Sequence, residues 1–443
     1  MARKHLAVLA LLAVAGAAQA EPPPLVGLGD SIGEGVQSAD ANASTQPNTY
    51  LALVAAQMGE PFPLPLIRTS PVGVVGSTIG RSRIDPGARV ANLAVSGASS
   101  DSILTDSAGR PVVDETDLVE LPRTGTQVGI AQRLRPPLSI CWIGNNDVLG
   151  TALAFDHMDA SQITPQDVFA DNYRQVVSGL TGWDNRVVFA NIPDITRIGF
   201  LFSRADLELF LGDSYGLPEG SYTSLPAMLL IRAGLLPPAI LRDPNWVLDA
   251  GEIATIQDAI GGFNRTIAED AAAAGMPVVD IHALMEQMAA HPPMIGDVPL
   301  LLRYNGGLLS LDGVHPSDIG HALIANAFIR KMDATWRMDV PPLSQGQLAT
   351  IASNDPFVDY DGDLVVRGRP LRGLLETLGP ALGISGDHAL RPGIQPELGR
   401  RFMRQYFAAT GQDPARAWTQ RDAIAAMRHV LALDAYAPPK ATR

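Results

Sequence analysis

The chain has a single cysteine, Cys141. No internal disulfide can staple it, so its stability has to come from packing. Cys141 also lies inside an apolar run with nothing nearby in sequence to lower its pKa, which argues against a cysteine nucleophile. Aromatic residues are sparse, at 6%, few to line an open stacking cleft. A basic excess is missing too: 33 Lys and Arg stand against 46 Asp and Glu, a net charge of −13, which makes nucleic acid a poor partner. His157, His282, His291 and His321 show no metal-ligand spacing and read as surface or helix positions, so neither metal nor cofactor is expected. There is no transmembrane barrel pattern. The apolar run near the start, Leu6 to Ala18, is too short for a stable membrane anchor.

What stands around that run identifies it. Arg3-Lys4-His5 precedes it, Ala18-Gln19-Ala20 gives a small-x-small site, and Glu21-Pro22-Pro23-Pro24 follows at once. Residues 1–20 read as a secretory signal peptide cut after Ala20, and the expected destination is the periplasm or the medium. No cysteine near the cut offers a lipid attachment point. The remaining length suffices for one large core and a smaller second one.

Short, near-continuous apolar runs recur: Leu25–Leu28, Arg89–Val95, Leu138–Ile143, Arg186–Ala190 and Pro277–Ile281. Such runs suit strands of a parallel sheet covered on both faces. Helical patterns alternate with them, at Tyr50–Met58 (closed by Gly59), Phe169–Leu180, Gly251–Ala274 and Asp318–Lys331. The alternation predicts an α/β fold with three layers and a five-stranded parallel sheet. Residues 60–88, rich in proline and glycine, read as an extended surface loop.

Each strand end carries a chemical word. The first ends in Gly29-Asp30-Ser31, where Asp30 or Ser31 caps a following helix, or the serine stands at the sheet mouth, where open α/β sheets bind ligands. The second ends in Ser96-Gly97-Ala98, and a glycine there is an ordinary turn or a backbone N–H offered to an oxyanion. The third ends in Gly144-Asn145-Asn146-Asp147, a turn or an amide donor at the same edge. Leu311-Asp312-Gly313-Val314-His315-Pro316-Ser317 sets a carboxylate and an imidazole three residues apart, within mutual reach, leaving Nε2 free to take a proton from a serine.

Taken in order, Gly29-Asp30-Ser31, Gly97, Gly144-x-Asn146-Asp147 and Asp312-x-x-His315 resemble the four blocks of the SGNH hydrolase superfamily, the GDSL lipases and esterases, over about residues 23–335. Asn48-Thr-Tyr-Leu-Ala-Leu and Asp312-Gly-Val-His-Pro-Ser-Asp-Ile-Gly-His321 look most like its secreted lipase-type branch. The resemblance implies a flavodoxin-like αβα fold in residues 21–340. It implies Ser31 as nucleophile, His315 as general base and acid, and Asp312 as the group that orients the imidazole. The Ser31 and Gly97 N–H groups and the Asn146 amide would form the oxyanion hole, each donor contributing about 3 kcal/mol. Gly29-Asp-Ser-Ile-Gly33 also fits the nucleophile elbow of α/β-hydrolases, but that fold has its serine mid-chain and its acid well before its histidine. Gly212-Asp-Ser-Tyr-Gly216 repeats the pattern after a helical stretch, and Ser214 reads as a turn residue.

Two regions stay outside the resemblance. The insertion at about 195–250 holds Leu225–Leu241, apolar enough for a cap over an acyl groove, the reading favoured here, or for a helix packed in the core. Residues 341–443 read as a small helical module of unknown role with a frayed tail. In it Asp359-Tyr-Asp-Gly-Asp363 fits a solvated turn better than a calcium loop, and Arg400, Arg401 and Arg404 fit an amphipathic helix docked on the rest. The expected function is hydrolysis of small-molecule or lipid esters, fatty-acyl ones favoured, with at most transient contact with a lipid surface. A carbohydrate O-deacetylase on the same site and a binding protein on a hydrolase scaffold are the alternatives.

Overall fold

The computed structural model describes residues 21–153, 162–367, 373–386 and 390–436; the expected signal peptide at 1–20, His157 and the tail 437–443 lie outside them. Four strands form one parallel sheet in the order Val26–Gly29, Leu138–Trp142, Arg186–Ala190, Val278–Val279. Gly29 lies opposite Trp142, and Cys141 opposite Phe189. Every residue of Leu138–Trp142 is buried, as the unbroken apolar run requires.

The expected strand at Arg89–Val95 is reduced to one parallel bridge, Asn92 to Gly27. The segment still follows the outer edge of the first strand. Gly27 N–H donates to the Ala91 carbonyl (3.0 Å), and the N–H groups of Leu93 and Val95 donate to Gly27 and Gly29 (2.8 and 3.1 Å). What interrupts a regular ladder is Gln127, whose side-chain oxygen accepts from Gly29 N–H (2.9 Å), the donor of the ladder's next bond, and whose amide donates to the Gly29 carbonyl (3.0 Å). Asn92, opposite Gly27, turns its buried amide to the Gly33 carbonyl (2.8 Å) and accepts from Ala94 N–H (3.2 Å). The segment thus takes the fifth place in a doubly wound arrangement of flavodoxin type, next to the first strand and away from the third.

Helices cover the sheet on both sides. Tyr50–Met58 packs with Asp318–Trp336 in one layer, and Gln127–Leu134, Gln166–Leu180 and Ala250–Ala273 pack together in the other. Local chemistry sets their ends. Thr49 caps Tyr50–Met58 by accepting from Ala52 N–H, and Gly59 closes it in the left-handed conformation. No helix among the described residues is long and apolar enough to cross a membrane.

The stretch 60–88 is not the plain surface loop its composition suggests. Ile67–Thr69 and Arg81–Arg83 pair as an antiparallel hairpin that carries a fully buried guanidinium inward. Arg81 meets Glu34 (3.8 Å), Asp40 (3.3 Å) and Glu115. Two of these acids lie near each other, at 34 and 40, and the third is at 115; all are distant from the arginine in sequence, and no local pattern announces the cluster.

Within the insertion, Leu225–Arg232 is a helix buried along its whole length. It packs against Arg204–Leu211 on one side and against the C-terminal helices Pro396–Ala409 and Gln420–Val430 on the other. A helix apolar all round is a core element, so the core alternative, rather than the cap, describes it. Ser214 lies in the turn after Arg204–Leu211, accepting from Leu217 N–H (3.1 Å). The module completes itself with Gln345–Asn354, Leu374–Leu382 and a last helical turn, Leu433–Tyr436. Pro396–Ala409 turns Leu398, Phe402, Met403 and Phe407 inward, while Arg401 donates to the Pro380 and Ala381 carbonyls.

Removing the buried cation strands its carboxylates. Arg81→Met is expected to destabilise the protein by on the order of 3–5 kcal/mol, read from urea unfolding. A loss under about 1 kcal/mol would mean that the arginine is not needed to hold these acids in the interior.

Candidate active site

Gly29 ends the first strand at a positive φ of 148°, where a side chain would collide with the Trp142 carbonyl. The chain then turns into a single helical turn, Ser31–Glu34, capped by Asp30, whose carboxylate accepts from Ile32 N–H (3.0 Å). Both sequence readings of this stretch hold at once: Asp30 caps, and Ser31 is presented by the capped turn at the C-terminal edge of the sheet. Asp30 is fixed in turn by the Asn145 amide (2.8 Å).

Ser31 is joined to the chain's distant end. His315 Nε2 lies 2.8 Å from Ser31 Oγ, and His315 Nδ1 lies 2.8 Å from Asp312 Oδ2. All three residues are buried. Asp312 also accepts from the N–H groups of Val314 and His315 (both 2.9 Å), from Ala39 N–H (2.8 Å) and from Ser310 Oγ (3.2 Å). Burial alone would raise its pKa. The charge of His315 and the hydrogen bonds outweigh burial and hold the carboxyl down at about 2. A fixed carboxylate on Nδ1 dictates the tautomer in which Nε2 can accept a proton from Ser31.

The other candidate residues meet on one side of this chain. Asn146 opens the helix Asn146–Leu153 and donates to the Ala98 carbonyl (2.8 Å), which leaves its second N–H available. The next residue, Asp147, accepts from Ser100 N–H (2.8 Å) and Oγ (2.7 Å). Gly97 sits between these ties at a φ of 81°. From the serine's own turn, Glu34 Oε2 accepts from Ser96 N–H (2.7 Å) and Oγ (2.5 Å). The segments bearing Ser31, Gly97 and Asn146 are therefore clamped to one another by carboxylates and an amide. The sequence reading gave Glu34, Ser96, Ser100 and Asp147 no role of their own, although Ser96 and Asp147 stand in its motifs. A carboxylate that bonds a backbone N–H sixty residues away leaves no periodic trace.

Two cavities flank the site. One, of about 70 Å³, is walled almost entirely by apolar groups, among them Ile32, Val314, Pro316, Ile195, Met285 and Met288. Ile32 neighbours Ser31 in the chain, and Val314 and Pro316 bracket His315. From the insertion, Ile195 and Ile198 reach this cavity, whereas Leu225–Leu241 do not line it. The other, of about 680 Å³, is more polar and is lined by Gly97, Ala98, Asn146, Ser99 and Asp101 together with Tyr436.

Among the described residues, the other histidines and the cysteine make none of these contacts. His321 lies buried on Asp318–Trp336, its Nδ1 accepting from Tyr50 N–H (3.3 Å), and burial pushes it down to about 3. His282 lies on the helix Ile281–Ala290 and His291 just after it, exposed. Burial pushes the Cys141 thiol up, so it stays protonated. The carboxylates of Asp359, Asp361 and Asp363 approach within 4.8 Å of one another in a turn where Asp359 accepts from Gly362 and Leu364 N–H.

Comparison with known proteins gives a match to the family described as GDSL-like Lipase/Acylhydrolase over residues 25–328. No curated protein matches the sequence. Among solved structures, an extracellular lipase from Streptomyces rimosus is 16% identical with a TM-score of 0.36, over 70% of this chain and 98% of that one. An acetyl xylan esterase variant from Geobacillus stearothermophilus is 15% identical with a TM-score of 0.37, over 73% and 98%. An alpha/beta hydrolase enzyme from the metagenome of Lake Arreo, Spain, is 14% identical with a TM-score of 0.36, over 74% and 98%.

The buried acids set the pH dependence of stability. Burial pushes Asp30 up to about 6, and Asp40 and Asp355 to about 7. From about pH 4 to about pH 7 the folded chain keeps protons that the unfolded chain has released, so stability falls as pH rises through that window. Asp312, with its pKa held low, works the other way below about pH 4, and His321, which burial keeps neutral down to about pH 3, does so below about pH 6.5; the raised acids outnumber them. The melting temperature is expected to be higher at about pH 5 than at about pH 8, with a smaller difference in Asp40→Asn. A melting temperature that stays flat or rises between those values would contradict this assignment.

Proposed function

The chain belongs to the GDSL-like lipase/acylhydrolase family, and from that premise we propose an exported serine esterase that works through Ser31, His315 and Asp312 and favours fatty-acyl esters. The observation that carries the reading is the hydrogen-bonded chain from Ser31 Oγ through His315 to Asp312, 2.8 Å at each of its two steps.

The chemistry follows from those contacts. Ser31 Oγ attacks the ester carbonyl carbon as its proton passes to His315 Nε2. The carbonyl oxygen becomes an oxyanion facing the N–H groups of Ser31 and Gly97 and the Asn146 amide. Asp312 stabilises the imidazolium and keeps its orientation. The carbon–oxygen bond to the alcohol breaks, and the departing oxygen takes the proton from Nε2, leaving an acyl-enzyme. Water then repeats the sequence: its proton goes to Nε2, its oxygen bonds to the acyl carbon, and Ser31 Oγ leaves and recovers the proton as the acid is released.

The apolar cavity supports the acyl preference. Its walls offer almost no hydrogen-bonding groups, and each methylene buried there contributes about 0.8 kcal/mol. Met285 and Met288 are side chains that adapt their shape to an occupant. The cavity is small, about 70 Å³, which favours medium over very long chains. The second reading, a carbohydrate O-deacetylase, is favoured by the larger polar cavity beside Gly97 and Asn146. Of the residues lining that cavity only Tyr436 is aromatic, which gives a sugar little to stack on.

A p-nitrophenyl ester series from acetate to palmitate separates these readings. Turnover is expected to peak at medium chain length and to vanish in Ser31→Ala, with Asp312→Asn lowering kcat by on the order of 10⁴. Serine-dependent activity confined to acetate would move the assignment to a deacetylase. Full activity in Ser31→Ala would remove the serine mechanism.

A further inference from the structure

The catalytic chain is covered by a part of the protein that lies beyond the family match. Ser31 is 3% exposed and His315 1% exposed. The cover is the last helical turn, Leu433–Tyr436, which reaches the site from the C-terminal helices and packs against Asn146–Leu153. Arg428 Nη2 donates to Asp434 Oδ1 (2.7 Å), anchoring the turn to the helix Gln420–Val430. Ala435 presses on the candidate oxyanion loop so closely that a Cβ at Gly97 would come within 2.5 Å of its carbonyl oxygen. The Tyr436 ring stands 5.6 Å from the His315 ring, centre to centre, and is itself buried.

The two cavities divide the substrate. The apolar one begins beside Ile32, Val314 and Pro316 and suits the acyl chain. The polar one is bounded by Gly97, Asn146, Ala435 and Tyr436 and is left for the alcohol. His315 must hand its proton to the departing alcohol oxygen, so a ring packed against that imidazole stands beside the bond that breaks. We propose that Tyr436 is a specificity-determining residue: its ring walls the alcohol side of the site and sets the size of the alcohol that can leave. This rests on the serine-esterase reading above and gives the C-terminal helices a role in it, which is to carry that wall to the site.

The test holds the acyl group constant and varies the alcohol. kcat/KM is measured for 2-naphthyl butyrate and methyl butyrate, with methyl octanoate as the acyl-side control, in the wild type, Ser31→Ala, Tyr436→Ala and Tyr436→Phe. The naphthyl-to-methyl ratio is expected to rise about tenfold or more in Tyr436→Ala, the scale on which pocket size discriminates substrates, and to return to the wild-type range in Tyr436→Phe. Thermal melting accompanies each variant, and Tyr436→Val supplies the same comparison if the alanine variant is unfolded at the assay temperature. A ratio within about twofold of wild type in a folded variant overturns the inference and leaves the esterase reading standing. So does a shift confined to methyl butyrate against methyl octanoate, because it would put the ring on the acyl side. Absence of Ser31-dependent turnover in the wild type overturns the esterase reading, and the inference with it.

Discussion

The Asp312 carboxylate is the point on which the site depends. Five donors converge on it: the His315 ring, the N–H groups of His315, Val314 and Ala39, and the Ser310 hydroxyl. Two of the backbone donors belong to its own tight turn, so the turn forms around the charge. The third, Ala39, comes from the hairpin Val36–Gln37 with Asp40–Ala41, near the other end of the chain. Ser38 and Ala39 hold left-handed backbone angles there (φ 54° and 63°) without being glycine, a conformation that costs about 1–2 kcal/mol per residue. Charge-assisted bonds of roughly 1.5–3 kcal/mol each are large enough to offset that cost. The Ser38 N–H donating to Ser310 Oγ (2.9 Å) adds to the hold. One buried charge therefore sets the imidazole tautomer, shapes the turn that carries it and fastens the early hairpin beside Ser31.

A second system holds the segments that bear Gly97 and Asn146, and it uses acids whose burial raises their pKa. Glu34 is pushed well up by burial and by neighbouring Glu115, against the pull of Arg81. Asp147 is pushed up by burial, against its bonds from Ser100. Three acids around one guanidinium could not all stay ionised in a dry interior without a net charge that nothing there offsets. Retained protons relieve that imbalance while Glu34 Oε2 still accepts from Ser96. The contrast with Asp312 is physical: Asp312 has enough donors to stay ionised, and its neighbours do not. That difference keeps the charge where the imidazole needs it.

The sequence disclosed those parts of the molecule that its physics makes local. Near-continuous apolar runs announced Leu138–Trp142 and Arg186–Ala190, because a strand buried on both faces needs apolar residues throughout. Thr49 and Gly59 announced a helix by satisfying its end groups. Ser31, Asp312 and His315 were legible because each sits in a short word whose turn geometry demands particular residues. What stayed hidden is non-local. Arg89–Val95 looks like a strand, and its ladder fails because Gln127, 98 residues after Gly29, takes the Gly29 N–H. Arg81 sits in a stretch whose prolines and glycines suggest surface, and its burial depends on acids at 34, 40 and 115. Leu225–Arg232 is apolar enough for either a lid or a core, and the deciding partners lie some 170 residues or more downstream.

Those partners also explain how a helical module comes to reach the candidate site. Leu225–Arg232 is buried on every side, and the helices Pro396–Ala409 and Gln420–Val430 supply one of those sides. Each large aliphatic side chain hidden there contributes about 1.5–3 kcal/mol, so the insertion and the C-terminal helices stabilise each other far more than either could alone. The position of the last helical turn is then set by a shared core. Arg232 reinforces it by donating to the Leu382 and Gly383 carbonyls (3.2 and 3.1 Å). Gly97, at a φ of 81°, has no room for a side chain beneath Ala435. A glycine in the candidate oxyanion loop is thereby required twice, once by its own backbone angle and once by a residue more than 300 positions later. The same packing that buries the insertion fixes the distance between that turn and His315. For this reason the position of the turn over the candidate site is set by the core beneath it.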